Sequence, residues 1–264
     1  MHSLNSLLNI LDFEVQTLFR FIDKIPEIND IEAQDLRLLT WRNFFPFFAI
    51  KHVYRMCEMK SLSIADGFFF DDGTVASLSN MPPELAQLFV AISSCVDEFR
   101  SSVDWDPASI SSLLVLQFLA VGPDEELSLF VNQATIDRLR STIVNALKDH
   151  CCNATAQQNS KLANIVRQID KFLPFRALGL NCLQKVQNAG CILPQSLGEI
   201  FRESHRLVLH SVGHDSSLNF AGFNADPTDI LKAQQAQHIQ QQQPGSSRTD
   251  IEHPNIKVEF QVPF

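Results

Sequence analysis

The sequence predicts an all-α protein, a three-layer antiparallel helical sandwich with one short β-hairpin. Apolar residues recur at the three-to-four-residue spacing of a helix across most of residues 2–186. Residues 44–56 are apolar on nearly every face, and a helix of that kind must be surrounded by protein or lipid. Because Lys51 and Arg55 interrupt this stretch and it is too short to cross a bilayer, we expect it to form the buried centre of the fold.

The first two helical stretches lie on either side of a proline break. Residues 2–24 predict one helix, or two in tandem, and Pro26 ends the pattern because the residue before a proline disfavours helical backbone angles. Residues 31–60 restart the pattern and supply the buried centre. Pro46 lies inside this second stretch, where a proline removes one backbone hydrogen bond, so we expect a kinked helix.

A strand signal and three more helical patterns follow. Two short apolar runs within residues 63–73 accompany Asp-Gly turn signals, which predicts a small β-hairpin. A proline-initiated helix is then expected, because proline is tolerated in the first helical turn. The remaining sequence predicts helices at 83–100, at 107–121, at about 124–150 and, as one long element, at 161–186.

The composition changes after the last of these patterns. We expect one domain over residues 1–212, whose final helix lies at about 194–203, and a disordered glutamine-rich tail at 213–264. Within this tail, residues 256–259 have the apolar-Lys-any-Glu pattern of an acceptor for the small modifier SUMO. Lys257 is therefore a candidate modification site, and the simpler alternative is a solvated lysine.

Charge and cysteine spacing exclude several classes of site. The formal charge is -9 and no dense Lys/Arg stripe occurs, which argues against direct binding of nucleic acid. Six cysteines form no C-x2-C pair, so no zinc module for DNA binding is expected in this chain, and no metal site either. Unpaired cysteines without a secretory signal favour a reducing compartment. No stretch is predicted to cross a membrane.

No pattern in the chain is typical of an enzyme. Neither G-x-S-x-G, H-E-x-x-H nor a glycine-rich phosphate loop occurs. His205, His210 and His214 lie close together, but we interpret them as solvated polar residues rather than as a set of metal ligands.

Three motifs carry a family resemblance. F-x-x-x-x-K-I-P at residues 19–26, followed by Q-D-L-R-L-L at 34–39 and an aromatic-led helix, resembles the signature of nuclear receptor ligand-binding domains, with the usual D-Q order reversed. Residues 161–186 resemble the dimerisation helix of the retinoid X receptor and tailless-type branch. Residues 193–201 resemble the mobile C-terminal activation helix, with Ser196 at an apolar place.

The resemblance implies a groove for a coregulator helix. In the family, a Glu on the last helix and a Lys on an earlier helix hold the two ends of an L-x-x-L-L peptide. Glu199 falls on the Glu position, but Asp23 occupies the Lys position, and a carboxylate there would repel the peptide's carbonyl end. Gly198 also weakens the last helix by about 1 kcal/mol, so we expect an output that leans toward repression. The groove residues are Asp23, Lys24, Leu38, Leu39, Leu197, Glu199, Ile200 and Phe201.

The same resemblance implies a pocket for a small lipophilic ligand. His52 is nearest in register to the basic residue that often meets an acidic ligand in this family. Many phenylalanines surround that position in the sequence, and we expect their rings to fill much of the space, as in an orphan receptor. The pocket residues are Phe21, Phe44, Phe45, Phe48, His52, Phe69 and Cys182. The alternative is that these aromatics are simply core. No cofactor is expected.

Partners and location follow from the resemblance. It implies coactivators or corepressors, a nuclear receptor homodimer or heterodimer, and a place in the nucleus, with DNA contacted only through a module outside this chain. The dimer interface is expected at Leu173, Pro174, Arg176, Leu178 and Leu183. The alternative function is a helical protein-interaction adaptor without a ligand or a switch.

Overall fold

The computed structural model describes residues 3–59, 67–70, 73, 75–122, 129–152 and 158–212. Its helices are α1 (Leu4–Ile22), α2 (Ala33–Met59), α3 (Pro83–Ser94), α4 (Val96–Ser102), α5 (Pro107–Phe118), α6 (Gln133–Cys152), α7 (Gln158–Phe172), α8 (Phe175–Asn188) and α9 (Gln195–Val212). Strands β1 (Gly67–Phe69) and β2 (Val75–Ser77) pair antiparallel. The predicted helical sandwich with one short β-hairpin is confirmed. The hairpin lies further along the chain than the predicted residues 63–73, because β2 begins at Val75, and residues 63–66 lie outside the described residues. Residues up to His205 belong to one compact unit, and a second unit begins at Arg206, inside α9.

Helices α2 and α5 form the interior. Every residue of α5 from Ser109 to Phe118 is buried. Helix α2 contacts α1, α3, α4, α5, α7 and α8. Helix α6 packs on α5 and α7, and α3 packs along α8. Because apolar surface is removed from water on both sides of α2, the predicted buried centre at residues 44–56 is stabilised chiefly by the hydrophobic effect.

Helix α2 runs through Pro46 without an interruption. A proline has no N–H, so the carbonyl of Arg42, four residues earlier, loses its helical donor. The Nε of Arg176 on α8 donates to that carbonyl at 3.0 Å. Arg176 also donates to the Asn43 Oδ1 at 2.7 Å. The Nδ2 of Asn43 donates to the carbonyls of Phe118, the last residue of α5, and of Ala120, just beyond it. Side chains therefore replace the backbone bond that Pro46 removes.

The expected helix at 83–100 is divided at Cys95. The hydroxyl of Ser94 and the thiol of Cys95 both donate to the carbonyl of Ala91, at 2.7 and 3.3 Å. The N–H of Cys95 turns instead to the carbonyl of Ile92, three residues back. Competition from these side chains for one carbonyl ends α3, and α4 starts at the next residue.

Helix α6 begins at Gln133, and the predicted start near Asp124 lies outside the described residues. Asp35 of α2, which is fully buried, accepts the backbone N–H groups of Val131 and Asn132, each at 2.8 Å. The side chain of Asn132 in turn accepts the N–H of Thr135 at 3.2 Å and caps the helix. These contacts fix residues 131–132 as the approach to α6.

The prediction of one long helix at 161–186 was wrong. The chain forms α7 and α8, which are separated at Leu173 and Pro174. Pro174 cannot donate to a carbonyl four residues earlier, and it disfavours helical angles at Leu173. The predicted helix at about 194–203 is present as part of the longer α9. The tail at 213–264, including Lys257, lies outside the described residues.

Candidate ligand and coregulator sites

Helix α9 is seated against the core by its apolar face. Leu197, Ile200 and Phe201 have exposed fractions of 0%, 1% and 6%. Its first turn is held by α1: the N–H of Leu197 donates to the Asp12 carboxylate at 3.0 Å, and the Nε2 of Gln16 donates to the Ser196 hydroxyl at 2.7 Å. A carboxylate at a helix N-terminus accepts an otherwise unpaired N–H and favours the helix dipole. Asp12 thus caps α9 from a neighbouring helix, and Gln16 holds the Ser196 side chain in the same turn.

The predicted groove residues divide into exposed charges and buried leucines. Asp23 and Lys24 are exposed at the end of α1, and Asp23 is its C-cap. Glu199 is exposed on α9, where the Nε2 of Gln195 donates to it at 3.4 Å. Leu38 and Leu39 are buried in the core. The charged side chains are exposed, and the two leucines contribute to packing in the core.

The predicted pocket positions lie in a dense aromatic cluster. The ring of His52 lies 4.4 Å from that of Phe48, 5.0 Å from that of Phe68 and 5.8 Å from that of Phe70, measured between centroids. The rings of Phe44 and Phe45 meet edge to face at 4.9 Å. These rings fill space by contacting one another, with the offset geometries that aromatic pairs prefer.

The remaining predicted pocket residues differ in how deeply they are buried. Phe21 is half-buried against Phe47, with 5.0 Å between ring centroids. Cys182 is fully buried, and burial raises the pKa of its thiol. The side chain of Phe69 lies outside the described part of the structure.

Helix α8 approaches the cluster closely at one glycine. A Cβ built on Gly179 would lie 2.1 Å from the Cγ of Phe45, far inside van der Waals contact. Any larger residue at this position would therefore push the ring of Phe45 aside.

A buried ionic cluster joins α1 to α2 beside these rings. Glu14 is 2% exposed, and its carboxylate lies 2.5 Å from the Lys51 Nζ and 3.3 Å from the His52 Nε2. Burial alone would raise the pKa of Glu14, but the contacts with His52 and Lys51 outweigh burial and lower the pKa to about 2. The carboxylate is therefore ionised at neutral pH.

The predicted dimer positions do not all face outward. Leu173, Pro174 and Leu178 are partly exposed. Leu183 is fully buried within the chain, and the guanidinium of Arg176 is directed to Arg42 and Asn43 on α2. Burial lowers the pKa of Arg176 to about 10.

A surface cleft of about 390 Å³ lies elsewhere, between α5, α6 and α7. Leu116 and Ile169 are among its apolar lining residues, and Asp137 and Arg140 are among its charged ones. It contains none of the predicted pocket residues.

The described residues contain neither a cluster of metal ligands nor a membrane-spanning helix. No group of three or more His, Cys, Asp or Glu residues in that part of the chain is placed to hold a metal ion. None of the described helices is long and apolar enough to cross a membrane.

The chain is similar in sequence to a protein of known family. No protein-family model matches the chain. The chain is 35% identical over 176 residues to nuclear hormone receptor family member nhr-6 of Caenorhabditis elegans. This similarity supports the nuclear receptor family. The match covers 67% of this chain and 27% of that relative, so the chain spans about a quarter of the relative's length. The narrower resemblance to the retinoid X receptor and tailless-type branch stays a prediction.

Sequence reasoning missed the residues that hold α1 in place. Asp12, Gln16 and Glu14 were not singled out, and Lys51 was noted only as an interruption of an apolar helix. A signal for Glu14 was present, because it follows Leu11 by three residues and precedes Leu18 by four, on the buried face of α1. An acidic residue on such a face requires a partner in the fold.

Proposed function

We propose that residues 1–212 form the ligand-binding domain of a nuclear receptor transcription factor, which acts in the nucleus through coregulators and a receptor partner. The seating of α9 carries this proposal. Its apolar side chains are buried, while its first turn depends on Asp12 and Gln16 of α1. The last described helix, with a buried apolar face and a first turn held by polar contacts, fits the activation helix that the resemblance implies.

The exposed charges favour a repressor-leaning output. In the family arrangement, a cation near the end of α1 holds the carbonyl end of a coactivator helix. Asp23 stands at that position and is exposed, so it presents a negative charge to a negative helix end. We place the chain nearest to the retinoid X receptor and tailless-type branch on the resemblance of residues 161–186.

A peptide-binding measurement tests this function. Fluorescence polarisation with a labelled L-x-x-L-L peptide should show weak binding to the unmodified chain. Asp23→Lys should tighten binding, because it restores the cation, whereas Asp104→Lys, at an exposed aspartate between α4 and α5, should not. Tight binding by the unmodified chain that is lost in Glu199→Ala would contradict the repressor proposal.

The pocket is proposed to be largely filled by the chain's own rings. Support comes from the short centroid distances around His52 and from the contact of Gly179 with Phe45. Native mass spectrometry should show the mass of the unliganded chain. A stoichiometric small molecule that leaves on organic extraction would contradict a filled pocket.

Dimerisation is proposed through the partly exposed residues at the junction of α7 and α8. Leu178→Arg should shift the sedimentation of the assembly toward the monomer, since a charge would then lie in an apolar contact. Val90→Arg on α3, at a valine that is 52% exposed, is the matched control and should leave assembly unchanged. Leu183 is unsuitable for this test because its burial would make any charge there destabilise the fold. Unchanged sedimentation of Leu178→Arg would place the interface elsewhere.

A further inference from the structure

The cleft between α5, α6 and α7 has an apolar floor. Leu116 of α5 and Ile169 of α7 line it and are buried, and Val144 of α6 and Val166 of α7 continue the apolar lining outward. Val166 is 39% exposed, so apolar surface extends from the floor to the solvent. At about 390 Å³, the cleft is within the size range of pockets that hold ligands. It has room for several apolar side chains of an occupant.

The polar residues of the cleft lie along one face of α6. They recur at the three-to-four-residue spacing that brings helical side chains together, and they are Asp137, Arg140, Ser141 and Asn145. The Arg140 guanidinium lies 3.7 Å from the Asp137 carboxylate, and both side chains are more than a third exposed. Because an exposed ion pair contributes little stability, Arg140 is able to exchange Asp137 for the carboxylate of an occupant.

The tail of the chain contains a segment whose pattern matches this cleft. Apolar residues alternate with other residues at Val258, Phe260, Val262 and Phe264. Residues 224–257, by contrast, contain no aromatic residue. Strict alternation places the four apolar side chains on one side of an extended chain and Glu259 on the other. The segment therefore offers an apolar edge for the floor and a carboxylate for Arg140 at the rim.

The dimensions of the segment and of its linker also fit. The polar face of α6 from Asp137 to Asn145 is about 12 Å long, and residues 258–262 in extended form span about 13 Å. The glutamine-rich residues 213–257, whose composition predicts disorder, have a root-mean-square span of about 35–40 Å as a flexible chain. A domain of about 212 residues has a radius of gyration of about 17 Å, so the linker is long enough to reach any of its faces.

We propose that residues 258–264 dock in this cleft of their own chain, with their apolar side chains toward Leu116 and Ile169 and with Glu259 at Arg140. Tethering supplies the segment at an effective concentration of about 1 mM, so a contact that is weak between separate molecules is occupied within one chain. The cleft contains none of the predicted pocket, groove or dimer residues, and the proposal does not depend on the proposed function.

Competition with a free peptide tests the docking. A fluorescein-labelled peptide of residues 256–264 is titrated by fluorescence polarisation with two full-length chains, the unmodified chain and the double variant Phe260→Asp with Phe264→Asp. The double variant should bind the peptide about tenfold more tightly, because its own segment no longer competes at about 1 mM. Equal affinities of the two chains, or no binding to either, would overturn the proposal.

Substitutions in the cleft assign the peptide to it. Within the double variant, Val166→Arg should lower the affinity for the peptide at least tenfold, since it puts a charge into the apolar lining. Val90→Arg on α3, at a valine that is 52% exposed, is the matched control and should leave the affinity unchanged. Equal affinities of these two arginine variants would place the peptide elsewhere and overturn the proposal.

A charge exchange keeps the test decisive if Val166→Arg fails to fold. Within the double variant, Arg140→Glu should weaken peptide binding about threefold, the size of an exposed ion pair. A peptide with Glu259→Arg should regain that loss on the Arg140→Glu chain and show no gain on the chain with Arg140. Failure of the exchanged pair to regain affinity would contradict docking in this cleft.

Sedimentation distinguishes docking within one chain from docking between two copies. The unmodified chain and the double variant should sediment alike at every concentration, because the contact is intramolecular. Faster sedimentation of the unmodified chain alone as its concentration rises would show that the segment occupies a second copy, which would overturn the proposal.

Discussion

Two carboxylates of α1 lie two positions apart and hold different neighbours. Asp12 is partly exposed and accepts one backbone N–H from α9, whereas Glu14 is buried and meets Lys51 and His52 of α2. Two helical positions differ by about 200° in direction, so one helix serves both contacts. Helix α1 is thereby fixed to α2 by a buried ionic contact and linked to α9 by a contact at its edge. From this difference we expect α9 to be the neighbour of α1 that is released more easily.

The largest expected effect comes from removing the buried cation. Lys51→Met should lower the free energy of unfolding by about 3–5 kcal/mol, because a carboxylate is left buried with only His52 beside it. Lys24→Met is the matched control, since Lys24 is exposed, and its effect should stay within about 0.5 kcal/mol. Denaturant unfolding measures both. Equal losses of unfolding free energy in the two variants would show that the buried contact of Lys51 with Glu14 stabilises the fold no more than an exposed lysine does.

Acid should remove the stabilisation that Glu14 provides. Its pKa falls from the usual 4.5 to about 2 on folding, which corresponds to about 3 kcal/mol at neutral pH. A lowered pKa stabilises the fold above pH 4.5, and this contribution is lost as the pH falls from 4.5 through about 2. The difference in unfolding free energy between the unmodified chain and Glu14→Gln should therefore be constant near neutrality and shrink in that window. A difference that does not change with pH would contradict the ionised state of Glu14.

Asp12 should contribute less, and mainly to α9. Asp12→Ala should cost about 1 kcal/mol, the usual effect of losing a helix N-cap. Asp12→Asn keeps an acceptor oxygen but loses the charge, so its cost should be smaller, about 0.3–1 kcal/mol. Hydrogen exchange should show faster exchange of the α9 amides in both variants, with those of α2 less affected. Asp23→Ala, at an exposed aspartate of the same region, is the control.

Sequence patterns predicted the helical class because apolar periodicity reports which face of each helix is buried. The apolar run at 44–56 and the pattern before Arg100 were sufficient for α2 and α3. Some helix ends were harder to predict, because side chains distant in sequence contribute to them. Asp35 fixes the approach to α6 across 96 residues, and no local pattern reveals that pairing.

In the candidate sites, too, contacts between residues distant in sequence could not be predicted from local patterns. Glu199 and His52 were predicted through resemblance, but Glu14, the ionic partner of His52, was not, because the partners of a buried charge depend on the fold. Arg176 illustrates this. The resemblance predicted it in a dimer interface, but its side chain donates to the Arg42 carbonyl, which lacks a helical donor because of Pro46. Pro174 carried a local signal for the break between α7 and α8, and the apolar periodicity on either side of it concealed that break.

Hydrogen exchange of the unmodified chain decides whether α9 opens separately from the core. The amides of residues 199–204 in α9 should exchange through an opening of lower free energy than those of residues 44–56 in α2, because α9 is held at its first turn by Asp12 and Gln16. That result would establish α9 as a releasable helix on a stable body. Exchange of both segments through one common opening, with the same dependence on denaturant, would contradict it.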